Sequence, residues 1–143
     1  MSSVEGILKT ISNKDALYLF DTIALTGSCD NRELTKGRKF TYKQYYSRMH
    51  ALRKAGLIKR KNSIYSLTSC GKVVYHTKKL IENGLNNIWK LKAIDSLEIF
   101  DDGFPKEEYS NIVSIILKNQ KIKEIIENSI YPKNATAIKN QHQ

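Results

Sequence analysis

Only two cysteines, Cys29 and Cys70, and three histidines, His50, His76 and His142, occur in the 143 residues. The cysteines are far apart and form no C-x-x-C pair, so neither a disulfide framework nor a structural zinc site is expected. They read as two buried or semi-exposed thiols. No apolar run approaches the ~20 residues that a membrane span needs. The opening "MSSVEGILKTISNKD" lacks a basic segment followed by an apolar core, so it is not a secretory signal. A soluble, cytoplasmic protein is expected. Internal repeats, low-complexity segments and Gly-rich phosphate loops are missing too. So is any Ser/His/Asp or Cys/His grouping. The acidic pairs Asp101-Asp102 and Glu107-Glu108 read as helix N-terminal charge and solubility. No enzyme, cofactor or metal is expected.

The most informative absence is of one sign of charge. From Leu34 to Ile81 there are thirteen Lys or Arg residues and no Asp or Glu. From Ile94 to Asn128 eight acids face four bases. A solvated surface normally mixes both signs. A long one-sign segment in a folded region sets up a positive field, and its commonest polyanionic partner is nucleic acid. A membrane surface is the competing partner; it would need a basic amphipathic helix with large exposed apolar residues.

Helical periodicity organises most of the chain. Val4, Ile7, Leu8 and Ile11 predict a short helix over 3–11. Ser12 opens an S-N-K-D capping box for the next helix, which carries Ala16, Leu19, Phe20, Ile23 and Ala24 on one face and ends at Gly27. Asp30 caps a short helix that Gly37 stops. Phe40 turns inward, and Thr41 caps a helix that Gly56 ends. Two short helices joined through glycine after an amphipathic helix make a helix-turn-helix pattern. Leu57–Arg60 and Ile64–Leu67 read as strands joined by a Lys61-Asn62-Ser63 turn. Thr68 or Ser69 caps a further helix, with a kink or break expected at Gly84 among Asn83, Asn86 and Asn87. "DDGFPKEE" marks a boundary, with Pro105, Glu107 and Glu108 starting a new helix. Tyr109, Ile112, Val113, Ile116 and Leu117 form one face of it; Ile122, Ile125 and Ile126 follow. The organisation expected is an N-terminal helix or arm over 1–12, a domain over 13–83, a helical extension over 84–130 and a polar, disordered tail over 131–143.

Winding Thr41–Ala55 at about 100° per residue separates two faces. Tyr45, Met49 and Leu52 form the inward stripe, with Leu34, Phe40, Ile23 and Phe20 as partners. Lys43, Ser47, His50 and Lys54 form the outward stripe, flanked by Gln44 and Tyr46. Arg48 and Arg53 lie nearer the core edges. Lys donates to guanine O6/N7 and Gln pairs two ways with adenine, so the outward stripe has chemistry suited to a major groove.

The stretch "FTYKQYYSRMHALRKAGLI" resembles the recognition helix of archaeal and bacterial winged-helix regulators. Those helices typically end in Leu, a few charged residues, then Ala/Gly-Gly-Leu-Ile. "IYSLTSCGK" resembles their second wing strand running into the next helix, where Leu-Thr-x-x-Gly-(Lys/Arg) is frequent. The resemblance covers about residues 13–83. It implies a mainly α fold with a small β-hairpin, a winged helix-turn-helix with a C-terminal helical extension. The function it implies is that of a sequence-specific, double-stranded DNA-binding transcription regulator.

On that reading Thr41, Tyr42, Lys43, Gln44, Tyr46, Ser47, His50 and Lys54 face the groove. Lys36, Arg38 and Lys39 neutralise flanking phosphates. Lys59, Arg60, Lys61 and Asn62 carry the wing to the backbone or minor groove. The same fold also serves protein–protein contact, and RNA binding through the wing is a third reading, since a helix cannot read the deep groove of A-form RNA. Trp89, Leu91, Ile94, Leu97, Ile99 and Phe100, with the apolar residues from Tyr109 to Ile126, must be buried somewhere. A homodimer is expected, held by the helix after the hairpin and the extension, with the Val4–Ile11 helix as a further contributor.

Overall fold

The structure, a computed structural model, describes residues 2–98 and 105–130. Described in order are α1 (Val4–Ile11), α2 (Lys14–Thr26), α3 (Asn31–Lys36), α4 (Tyr42–Lys54), β1 (Ile58–Lys61), β2 (Ile64–Leu67), α5 (Ser69–Asn86), α6 (Ile88–Glu98), α7 (Lys106–Ile116) and α8 (Gln120–Ile130). The architecture is mainly helical, with one two-stranded antiparallel hairpin after α4. The chain divides into two compact units, Met1–Lys78 and Lys79–Gln143. Residues 99–104, which hold Ile99, Phe100 and the first half of the "DDGFPKEE" boundary, lie outside the described residues. So does the tail from 131 onward.

In the first unit α2 is the central helix. Its Ala16, Leu19, Phe20 and Ile23 are buried against Leu34, Tyr45, Met49, Leu52, Leu57 and Tyr65. Ile7 and Ile11 of α1 pack on the edge of this core, whereas Val4 and Leu8 remain exposed. The cap of α2 is Asn13 rather than Ser12: the Asn13 side chain accepts from the Asp15 and Ala16 amides. Ser12 ends α1 in a helical conformation, and its hydroxyl donates to the Lys9 carbonyl. An N-cap needs extended backbone, so Ser12 cannot serve both helices.

Two full capping boxes start the next helices. Asp30 and Glu33 exchange side chain–backbone bonds at α3, and Thr41 and Gln44 do so at α4. α4 ends in a Schellman motif: Gly56 N–H donates to Arg53 O and Leu57 N–H to Leu52 O. Gly56 sits at φ 78°, a conformation that costs a side chain about 1–2 kcal/mol. Leu52 and Leu57, which flank this turn, are both fully buried.

The hairpin differs slightly from expectation. Its first strand starts at Ile58, and Lys61 pairs with Ile64 inside the ladder. The turn is therefore two residues, Asn62-Ser63, at φ 51° and 64°. Positive φ at both positions is the primed turn whose twist matches paired strands; Asn tolerates it, which a three-residue reading overlooks. Cys29 adds a short bridge to the hairpin, exchanging both backbone bonds with Tyr65 at 3.0 and 2.8 Å. This ties the segment before α3 to the strand after α4.

The hairpin runs into α5 through one polar knot. Thr68 N–H donates to the Leu57 carbonyl, the Thr68 hydroxyl donates to the Gly56 carbonyl, and its oxygen accepts from the Gly71 amide at 2.9 Å. Gly71 is buried directly over the Leu57 carbonyl, with no room for a Cβ. The Leu-Thr-x-x-Gly pattern thus has a local cause: Thr caps the helix and Gly lets it approach.

The second unit has its own core of Ile94, Tyr109, Val113, Leu117 and Ile122, with Leu80, Leu91, Leu97, Ile116 and Ile126 packed around it. The break expected at Gly84 falls at Asn87. Gly84 stays within α5, and the Asn87 side chain donates to the Asn83 carbonyl at 2.8 Å while its own backbone accepts from Leu91. An Asn side chain that competes for backbone groups ends the helix, and an exposed Gly alone does not. Trp89 is 78% exposed and does not fold back into this core.

Substituting Gly71→Ala forces a methyl into the Leu57 carbonyl, so it should cost about 1–3 kcal/mol by overpacking. Urea denaturation of the variant should show a lower midpoint; an unchanged midpoint would mean that α5 is free to shift away from the hairpin.

Candidate nucleic-acid interface

The site is built on the outward face of α4. Tyr45, Met49 and Leu52 are buried, which leaves Tyr42, Lys43, Gln44, Tyr46, Ser47, His50 and Lys54 exposed along one side. The Tyr45 hydroxyl donates to the Asn31 side chain at the start of α3. The Tyr45 ring packs on Phe40 and meets Tyr46 edge-on, with centroids 6.1 and 5.1 Å apart. These contacts hold the first turns of α4 in one rotation. Tyr42, 79% exposed, lies with its ring centroid 4.4 Å from that of Tyr46. The two rings form an aromatic ledge at the helix N-terminus.

Not every expected contact residue is equally available. The Gln44 side-chain oxygen accepts from the Thr41 amide at 3.1 Å, and the Thr41 hydroxyl accepts from the Gln44 amide at 3.1 Å. Bidentate pairing of Gln44 with adenine would compete with this capping box. Arg38 is ion-paired with Asp15 at 2.7 Å, and its guanidinium lies against Tyr18 and Phe40. It fastens the α3–α4 connection to the start of α2. Partly exposed as it is, the pair contributes no more than about 1 kcal/mol. Arg48 is half-buried, with its Nε shielded and unpartnered, while Arg53 is exposed.

Lys36 and Lys39 are exposed beside Arg38. The hairpin places its cations on both faces. Lys59 and Lys61 share the outer face with Ile64 and Ser66, whereas Arg60 lies across from Tyr65, 5.6 Å from its ring centroid. Asn62 is at the tip. No helix among the described residues is long and apolar enough to cross a membrane.

Three features here carry no signal in the local sequence pattern. They are the Tyr45–Asn31 bond, the Arg38–Asp15 pair and the Cys29–Tyr65 bridge, each joining residues separated by more than one helix or loop. Of the two thiols, Cys29 is buried and Cys70 exposed. Burial pushes the Cys29 thiol above its ordinary value, with Glu33 and Asp30 adding to the rise and a hydrogen bond with Thr26 opposing it. Burial likewise raises the Tyr45 phenol, and the neighbouring Tyr65 adds to this.

No protein-family model, curated protein or solved structure matches the chain.

Both raised groups are neutral acids, so the unfolded chain loses their protons first. Their contribution to stability is complete below the ordinary thiol value of 9.0 and the phenol value of 10.0, and is lost as pH rises through the folded values. Urea midpoints should fall above about pH 9, and Cys29→Ala should flatten the first part of that fall. An identical alkaline slope in the variant would refute the assignment to Cys29.

Proposed function

We propose that the chain is a winged helix-turn-helix protein that binds double-stranded DNA sequence-specifically and regulates transcription. The observation that carries this reading is the outward face of α4. It is exposed, rich in donors, free of acids, and flanked by a hairpin carrying Lys59, Arg60 and Lys61. The order α2, α3, α4, hairpin supports the fold assignment, as does the Cys29 bridge that clamps the helix pair to the wing. On this reading α4 enters the major groove N-terminus first. Lys43, Ser47 and His50 meet base edges, with the Tyr42–Tyr46 ledge against sugars or thymine methyls. Lys36, Lys39, Lys54, Lys59 and Lys61 neutralise phosphates. The role is non-catalytic, and the site of action is the cytoplasm.

Fluorescence anisotropy with labelled duplexes tests this. With these five phosphates neutralised, log Kd against log salt should have a slope magnitude of about 4.5. Lys43→Ala should cost about 1–3 kcal/mol on the preferred sequence and narrow the gap to other sequences. Lys61→Gln should weaken all duplexes alike and reduce the slope by about 1. Equal affinity for every duplex, or no binding at about 0.1 M salt, overturns the reading.

A homodimer is the proposed assembly. Ile81 and Leu85, one turn apart near the end of α5, and Ile88 and Trp89, at the start of α6, are exposed, and exposed large apolar side chains are what a contact site between copies would cover. Two-fold pairing would place two copies of α4 on half-sites about 10 base pairs apart or a multiple of that. Sedimentation equilibrium at micromolar concentration should show a dimer that Trp89→Lys dissociates; a monomeric wild type refutes it.

A further inference from the structure

Tyr42 and Tyr46 put more apolar surface on the outward face of α4 than a merely solvated helix needs. They lie one turn apart and are 79% and 42% exposed. Their ring planes are tilted by 42° rather than stacked flat, so ring surface of both stays open to solvent. The ledge is held from below. Tyr46 meets the ring of Tyr45 edge-on, and Tyr45 is buried and bonded to Asn31. An aromatic surface fixed in advance loses little side-chain entropy when a partner covers it.

What covers it follows from the DNA reading, on which this inference rests. The edges that base pairs turn to the major groove are donors and acceptors, with one apolar exception: the C5-methyl group of thymine. Cytosine lacks that methyl, and 5-methylcytosine carries it at the same ring position. The polar side chains of the same turn cannot substitute for the rings. Gln44 has its oxygen on the Thr41 amide, and Lys43, which forms no ion pair among the described residues, is suited to guanine. We propose that the Tyr42–Tyr46 ledge reads C5-methyl groups in the major groove. It selects thymine in an unmodified site and accepts 5-methylcytosine in its place. Affinity for DNA therefore responds to C5 methylation of a cytosine at the position the ledge covers. Sugar contact gives no such response.

Anisotropy with chemically substituted duplexes tests this. In the preferred duplex, thymines are replaced one at a time by deoxyuridine, which removes the methyl and nothing else. At one or more positions the Kd should rise about threefold to fourfold, as loss of one buried methyl requires. With cytosine at that position, opposite guanine, C5 methylation should lower the Kd by a similar factor. Tyr42→Phe should keep both ratios. Tyr42→Ser should bring both close to unity, whatever it does to the absolute Kd. Each ratio is internal to one variant, so a general loss of affinity does not imitate this result. The proposal is overturned if the preferred duplex has no methyl-sensitive thymine or if Tyr42→Phe abolishes the ratios, which would assign them to the hydroxyl. It is also overturned if the ratios survive Tyr42→Ser, which would assign them to DNA shape or another residue. Failure of the DNA reading looks different: no duplex is preferred at all, and both fall together.

Discussion

Burial of Tyr45, Met49 and Leu52 against α2 and α3 is the constraint on which the rest depends. A helix held by one stripe has no choice about what its opposite stripe presents. Burying three such side chains contributes several kcal/mol, at about 1.5–3 kcal/mol for a large apolar residue. The polar bonds around α4 contribute less energy but set its position. Tyr45 to Asn31 fixes its rotation, the Thr41–Gln44 box fixes where it begins, and the Schellman turn at Gly56 fixes where it stops. From that stop the chain enters β1 directly, and the Thr68–Gly71 knot returns the hairpin to the same Leu57 carbonyl. The spacing between the exposed face of α4 and the hairpin cations is thus built into the core.

The positive charge of the first unit is not all of one kind. Arg38 reaches back to Asp15, and Lys78 to Asp21 at 2.8 Å. Both pairs tie later segments to α2, the helix that supplies the acids. Lys36, Lys39, Lys43, Lys54, Lys59 and Lys61 form no ion pair among the described residues. Like charges held together on a folded surface oppose folding through mutual repulsion. A surface that tolerates this cost suits a polyanionic partner, which would convert the repulsion into attraction.

Local chemistry made much of the fold legible. Periodicity located α1, α2, α4, α5 and α7, the Asp30 cap and Gly37 located α3, and the residues of α6 and α8 read as continuations of the helices before them; the stripe Tyr45, Met49, Leu52 came from winding one segment at helical pitch. Asp30 and Thr41 were readable as caps because each is followed three residues later by Glu or Gln. Errors arose where two neighbouring residues compete for one role. Ser12 and Asn13 both suit an N-cap, and only the close succession of α1 and α2 decides between them. Gly84 and Asn87 both weaken a helix, and the side-chain bond of Asn87 decides there. What no local pattern could supply is pairing across the fold. The engagement of Arg38 with Asp15 and the bridge from Cys29 to Tyr65 depend on which elements meet. Gln44 shows the limit for the candidate site. As a residue type it suits adenine, but in the fold its oxygen already serves the helix start.

The central claim is that the acid-free face of α4 and the adjoining hairpin form one DNA-binding surface. Mapping amide shifts of the nitrogen-15-labelled protein on addition of a preferred duplex tests it most directly. The account predicts that the largest shifts fall on Tyr42, Lys43, Ser47 and His50 and on Lys59 to Asn62, with Tyr109 to Leu117 unaffected. Shifts concentrated on α7 and α8, or no shifts beyond those caused by added salt, would contradict it.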